Sequence, residues 1–202
     1  LLVAAAEAGA TELLIGIGGT ASSDGGAGAL EVLREARLLG DERVKLIALC
    51  DVRAAWEQAA TVFARQKGAT DDEVVVLERR LGRFAAGLPK DPRGRMMTGA
   101  GGGLAGGLWA AAGAELKSGA AWVLDQVDFA PRMLAARAVI TGEGSLDRQT
   151  LLGKAVGEVA TRARQSGVPL LRFADLEKDV ALIERARDAA DELLAKEPAA
   201  AA

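Results

Sequence analysis

The chain has 202 residues, 50% of them apolar and 26% charged, with 25 Lys and Arg against 28 Asp and Glu. This is globular composition and excludes a wholly disordered chain. A net charge of −3 gives no basic excess for sequence-independent nucleic-acid binding, and no apolar run reaches the roughly 20 residues of a membrane span.

Taken in chain order, residues 1–8 read as the end of a helix stopped by Gly9. Residues 12–17 (ELLIGI) form a short buried strand. A glycine-rich turn follows at 18–28, then helical spacing over 29–39. Residues 45–49 (KLIAL) are a second buried strand, ending at Cys50 and Asp51. Residues 54–63 are helix-like. An amphipathic helix covers 71–88, with Val75, Leu77, Leu81 and Phe84 near one face. Thr70 and Glu73 have the spacing of a capping box at its start.

A second glycine cluster, 99–107 (GAGGGLAGG), leads into an Ala-rich helix near 108–112. A third strand at 138–141 runs into a polar turn and a helix over 152–165. Residues 168–171 form a fourth strand. The charged helix 175–196 carries only a narrow apolar stripe, which leaves it to pack on a second subunit as a homodimer. Strands alternating with helices specify an α/β fold: a parallel sheet with helices on both faces. The chain opens on Leu1 within an apolar segment and closes on an alanine tail, so it reads as incomplete.

Two absences narrow the chemistry. There is no His, which excludes a Ser-His-Asp or Cys-His mechanism and imidazole-held zinc. The single Cys50 excludes an intrachain disulfide and reads as a small buried residue; a cytoplasmic location is expected. Acid–base work falls to Asp, Glu or Lys.

Glycine numbers 25 and is clustered where ligand loops of an α/β sheet lie, beyond the carboxyl ends of strands. In the first loop, Gly18, Gly19, Gly25 and Gly26 allow close backbone approach. Thr20, Ser22 and Ser23 add hydroxyls, and Asp24 adds a carboxylate. This set suits a phosphate or a small hydroxy acid. It has neither the Gly-x-Gly-x-x-Gly spacing of a dinucleotide site nor a P-loop ending, since Gly153-Lys154 lacks the upstream glycine. The third loop brings Glu143, Asp147, Arg148 and Lys154 within 12 residues. Its carboxylates can hold Mg²⁺ or take a hydroxyl proton, and its cations can neutralise phosphate. The competing readings are a tight packing turn for the first loop and a helix cap for Asp147.

GIGGTASSDGGAG, CDV, VFARQKGAT, TGAGGGLAGG, GAELKSG and VITGEGSLDRQTLLGKA occur in that order between residues 15 and 155. In this the chain resembles the bacterial type-1 glycerate kinases, which phosphorylate D-glycerate with ATP. The resemblance covers about two thirds of the chain. It departs by a missing N-terminal portion, a shorter stretch between Leu33 and Lys45, and Arg53-Ala54-Ala55-Trp56-Glu57 after CDV.

The resemblance implies a two-lobed kinase, a flavodoxin-like domain with an inserted α/β domain, and an active site in the cleft. Residues 1–137 would be the inserted domain, and 138–202 the return into the flavodoxin-like one. It implies ATP and Mg²⁺ as cofactors, Asp24 and Asp147 as catalytic carboxylates, and Glu143 with Asp147 as metal ligands. Gly18, Gly19, Thr20, Ser22, Gly25, Gly26, Lys67 and Lys154 would bind substrate or phosphate, with Asp51 a weaker candidate. The alternative is an inactive fragment or small-anion binding module; a nicotinamide enzyme is disfavoured by the loop spacing. Trp109 and Trp122 read as core or lobe-contact residues, and Met96-Met97 as a hinge.

Overall fold

A computed structural model describes residues 1–143 and 155–174. The chain divides into two compact units, Leu1–Trp122 and Val123–Ala202.

The first unit is built on a three-stranded parallel sheet in the order β1-β2-β3. These strands are Glu12–Ile17, Lys45–Cys50 and Glu115–Ser118. The central strand β2 buries Leu46, Ile47, Ala48 and Cys50. Such a continuous apolar run is what a strand covered on both faces requires. The edge strand β1 buries Leu13 and Ile17 while Leu14 is 45% exposed. Around the sheet come α1 (Leu2–Glu7), α2 (Ala27–Glu35), α3 (Gln58–Thr61), α4 (Asp71–Ala86) and α5 (Leu104–Ala112). The sheet residues share one core with Leu30 and Leu33 of α2 and Ala105 and Leu108 of α5. Each fully buried Leu or Ile there contributes about 1.5–3 kcal/mol.

Register puts the site together. Ile17 pairs with Cys50 and Cys50 with Ser118, so all three strands end level and release their following loops along one edge of the sheet. The expected strands at 12–17 and 45–49 are present, and the helix expected over 71–88 runs Asp71–Ala86 with both halves of its capping box. Three details differ from the sequence reading. The helix-like stretch 54–63 contains only one helical turn, because Trp56 is drawn into a second core with Ala59, Ala60, Val74, Leu81 and Ala85. In α4 the buried side chains are Val74, Leu81 and Ala85, and Val75 faces solvent. Strand β3 goes unread in the sequence because Glu115 is exposed and the other three residues are only half-buried, so ELKS shows no apolar signal.

α6 (Gly119–Gln126) spans the division between the units. The second unit holds α7 (Phe129–Ala135), α8 (Ala155–Gln165) and the parallel pair β4 (Val139–Glu143) and β5 (Leu170–Ala174). Met133, Val139, Val159 and Ala163 form its core. The expected helix at 175–196 lies outside the described residues.

Candidate active site

The loop after β1 is held from below and from one side, and its crest is open. Gly18 and Gly19 are exposed, and a side chain added at Gly19 would meet nothing within 4 Å. The backbone N–H groups of residues 19–24 donate to no acceptor among the described residues. At Gly25 the loop docks: its N–H donates to the Gly102 carbonyl at 3.0 Å.

Asp24 organises the turn into α2. Its Oδ1 accepts from the Gly26 N–H at 3.0 Å and the Ser22 hydroxyl at 3.3 Å, and its Oδ2 accepts from the Gly28 N–H at 3.2 Å. These bonds satisfy donors that the start of a helix leaves open. A carboxylate offers about four acceptor sites, so one on Asp24 remains unused by these partners.

Lys67, at the end of a 3₁₀ turn covering Arg65–Lys67, reaches the same loop. Its ammonium donates to Thr20 Oγ1 at 3.1 Å, to the Ser22 carbonyl, and to Ser23 Oγ at 3.5 Å. Burial pushes the Lys67 amine below its ordinary range, and the charge of nearby Asp24 opposes that shift. Beside it opens a cleft of about 460 Å³ lined by Ala21, Ser23, Lys67, Glu73, Leu77 and Arg80, among others. Asp51, at the end of β2, lies alongside the loop: a side chain on Gly18 would come within 3.4 Å of its Oδ2.

The structure therefore brings together Gly18, Thr20, Ser22, Asp24 and Lys67 from the expected set, with Asp51 and Ser23 adjacent. Gly25 and Gly26 belong to the same turn but are buried, facing Trp56, Phe84 and Leu104. Asp147, Arg148 and Lys154 lie outside the described residues, as does the side chain of Glu143. Among the described residues no three Cys, Asp or Glu side chains converge on a metal position.

Two features escape the sequence reading. Trp56 is the indole against which Gly25, Gly103 and Gly106 pack; its Nε1 donates to the Leu81 carbonyl at 3.3 Å, and its ring stacks on Phe84. No local pattern announces it. Glu73, Leu77 and Arg80 line the cleft, and their i, i+4, i+7 spacing on α4 was the available signal. Trp109 is half-buried, with the Arg95 guanidinium 4.6 Å and the Lys90 ammonium 5.7 Å from its ring centroid. Cys50 is buried as expected, and burial, helped by the Asp51 charge, pushes its thiol up to about 12.

The model of the glycerate kinase family matches residues 1–46 and 35–198. The chain belongs to the glycerate kinase family. The two matched segments overlap over residues 35–46, the connection from α2 into β2. The chain is 38% identical over 208 residues to a glycerate kinase of Bacillus subtilis, covering 86% of this chain and 54% of that protein. It is 32% identical over 219 residues to a glycerate 2-kinase of Escherichia coli K12, covering 92% and 58%. The solved structure of a Salmonella typhimurium LT2 protein, provisionally named glycerate kinase 2, superposes with a TM-score of 0.65 at 28% identity. That match covers 96% of this chain and 67% of the other. The chain thus spans about half the length of the curated relatives it matches.

Proposed function

We propose that the protein transfers the γ-phosphoryl group of ATP to D-glycerate, with the loop after β1 as part of its substrate site. One observation supports this beyond family membership: the run of N–H groups at 19–24 with no acceptor among the described residues, beginning at side-chain-free Gly19 at the carboxyl edge of a parallel sheet. Exposed, fixed N–H groups in such a loop suit a phosphate or carboxylate, whose oxygens accept several at once.

Phosphoryl transfer asks a protein for positioning and charge compensation more than for covalent chemistry. In this reading a hydroxyl of glycerate gives its proton to the remaining acceptor site of Asp24 while its oxygen attacks the γ-phosphorus. The bond from that phosphorus to the β,γ-bridging oxygen breaks, and ADP leaves. Thr20 and Ser22 orient substrate oxygens, and Lys67 sets a positive charge beneath them. Glu143 and Asp147 are the carboxylates that would hold Mg²⁺, which would supply charge neutralisation of the phosphates. Because the Escherichia coli relative is named a glycerate 2-kinase, the 2-hydroxyl is the acceptor to test first.

The test is ADP release on adding D-glycerate and ATP, with the Asp24→Asn variant alongside. The substitution should lower kcat by about 10²–10⁴-fold, the usual share of a general base. It should also leave a cooperative unfolding transition. Turnover within a few-fold of the parent would remove Asp24 as the base. Binding of glycerate or phosphate without any ADP release would favour the anion-binding module.

A further inference from the structure

We propose that Lys67 is a positioning residue: it holds the loop's hydroxyl-bearing segment, residues 20–23, in the shape that receives the ligand, in place of the direct phosphate contact expected from the sequence. An ammonium has three N–H donors, and here each is directed to an oxygen of the loop: Thr20 Oγ1, the Ser22 carbonyl and Ser23 Oγ. No donor is left for a phosphate while these bonds stand.

The bond to the Ser22 carbonyl has a geometric consequence. In a trans peptide the carbonyl and the following N–H point in opposite directions, and the chain contains no cis peptide bond among the described residues. Drawing the Ser22 oxygen toward Lys67 therefore turns the Ser23 N–H away from it, and that N–H donates to no described acceptor. Lys67 thus fixes the direction of one of the donors that have no acceptor among the described residues.

The other wall of the clamp is Gly102. A Cβ there would collide with the Ser22 carbonyl and lie 2.9 Å from Lys67 Nζ. Its own carbonyl accepts the Gly25 N–H. The lysine's root is also anchored, because Ala64, one turn before it, is buried in the Trp56 core. The partial burial that lowers its basicity agrees with an amine engaged by the protein.

The inference rests on the glycerate kinase reading only for what the loop holds, so its test combines turnover with a readout independent of it. In Lys67→Met, which keeps the length and removes the charge, amide hydrogen exchange at Gly25 and Gly26 should quicken about tenfold. Exchange in β2 and α4 should stay unchanged. In the kinase assay kcat should fall about tenfold or more, with KM for ATP moving less than about threefold. Thr20→Val removes one acceptor without touching the lysine, and should shift exchange the same way by a smaller factor; it carries the test if Lys67→Met does not fold. Unchanged exchange in both variants, or a rise in KM for ATP with exchange unchanged in Lys67→Met, would overturn the proposal. A parent protein without turnover would instead sink the kinase reading, and exchange would still decide what Lys67 does.

Discussion

Residues 18–28 and residues 99–107 are both rich in glycine, and they use it oppositely. At Gly19 an added side chain meets open space. At Gly99, Gly106 and Gly107 it meets backbone carbonyls of Ala55, Thr98 and Gly25. The second cluster is a packing device: its missing side chains let the turn at 101–103 and the start of α5 press against the first loop and Trp56. The first loop divides along its own length: Gly19 is open, Gly18 is exposed beside Asp51, and Gly25 and Gly26 are packed. Glycine content alone does not mark a ligand site, because the same residue serves packing in one loop and leaves the backbone accessible in the other.

The largest blow to this division is Trp56→Ala, expected to cost about 3–5 kcal/mol in denaturant unfolding because the packed cluster loses its central indole. Within the same experiment Gly106→Ala forces a Cβ to 2.6 Å from both Thr98 O and a Trp56 ring carbon, with an expected loss of about 1–3 kcal/mol or more. Gly19→Ala meets no neighbour, and only its φ of +60° opposes it, so it should lose about 1–2 kcal/mol while reducing substrate affinity. If Gly106→Ala proved neutral in stability, the packing role assigned to the second cluster would be wrong.

A smaller effect sharpens the picture from the side of α4, which carries Leu81 and Phe84 to the indole. Thr70 Oγ1 accepts from the Glu73 N–H while Glu73 Oε2 accepts from the Thr70 N–H. Thr70→Ala should lower stability by about 1 kcal/mol, measured by thermal unfolding, with KM unchanged.

The smallest effect concerns the turn before the second cluster. The Arg93 guanidinium beside Asp91, with the Arg93 N–H, lowers its carboxyl to about 2. A depressed folded-state value contributes stability above the ordinary carboxylate range and loses it as pH falls through about 2. The pair is exposed, so Arg93→Gln should bring the Asp91 titration, followed by NMR, back toward its ordinary midpoint with no measurable change in Tm at pH 7.

The sequence makes legible what is decided locally. Strands β1 and β2 show as apolar runs, α4 shows by its period and its cap, and the open loop shows as glycines and hydroxyls after a strand. What it hides is decided across distance. Trp56 sits 28 residues before the Phe84 it stacks on, and the fit of Gly107 against Gly25 exists only once two loops have met. Asp24 was legible as a polar loop residue, but its hold on the Gly26 and Gly28 amides depends on where α2 begins.

Of the three tryptophans only Trp56 is buried, and Gly25 forms part of the wall around its ring. The domain therefore carries its own optical reporter under the candidate site. A displacement of Gly25 changes the surroundings of a dry indole, so the emission band of the unlabelled protein registers the state of the loop.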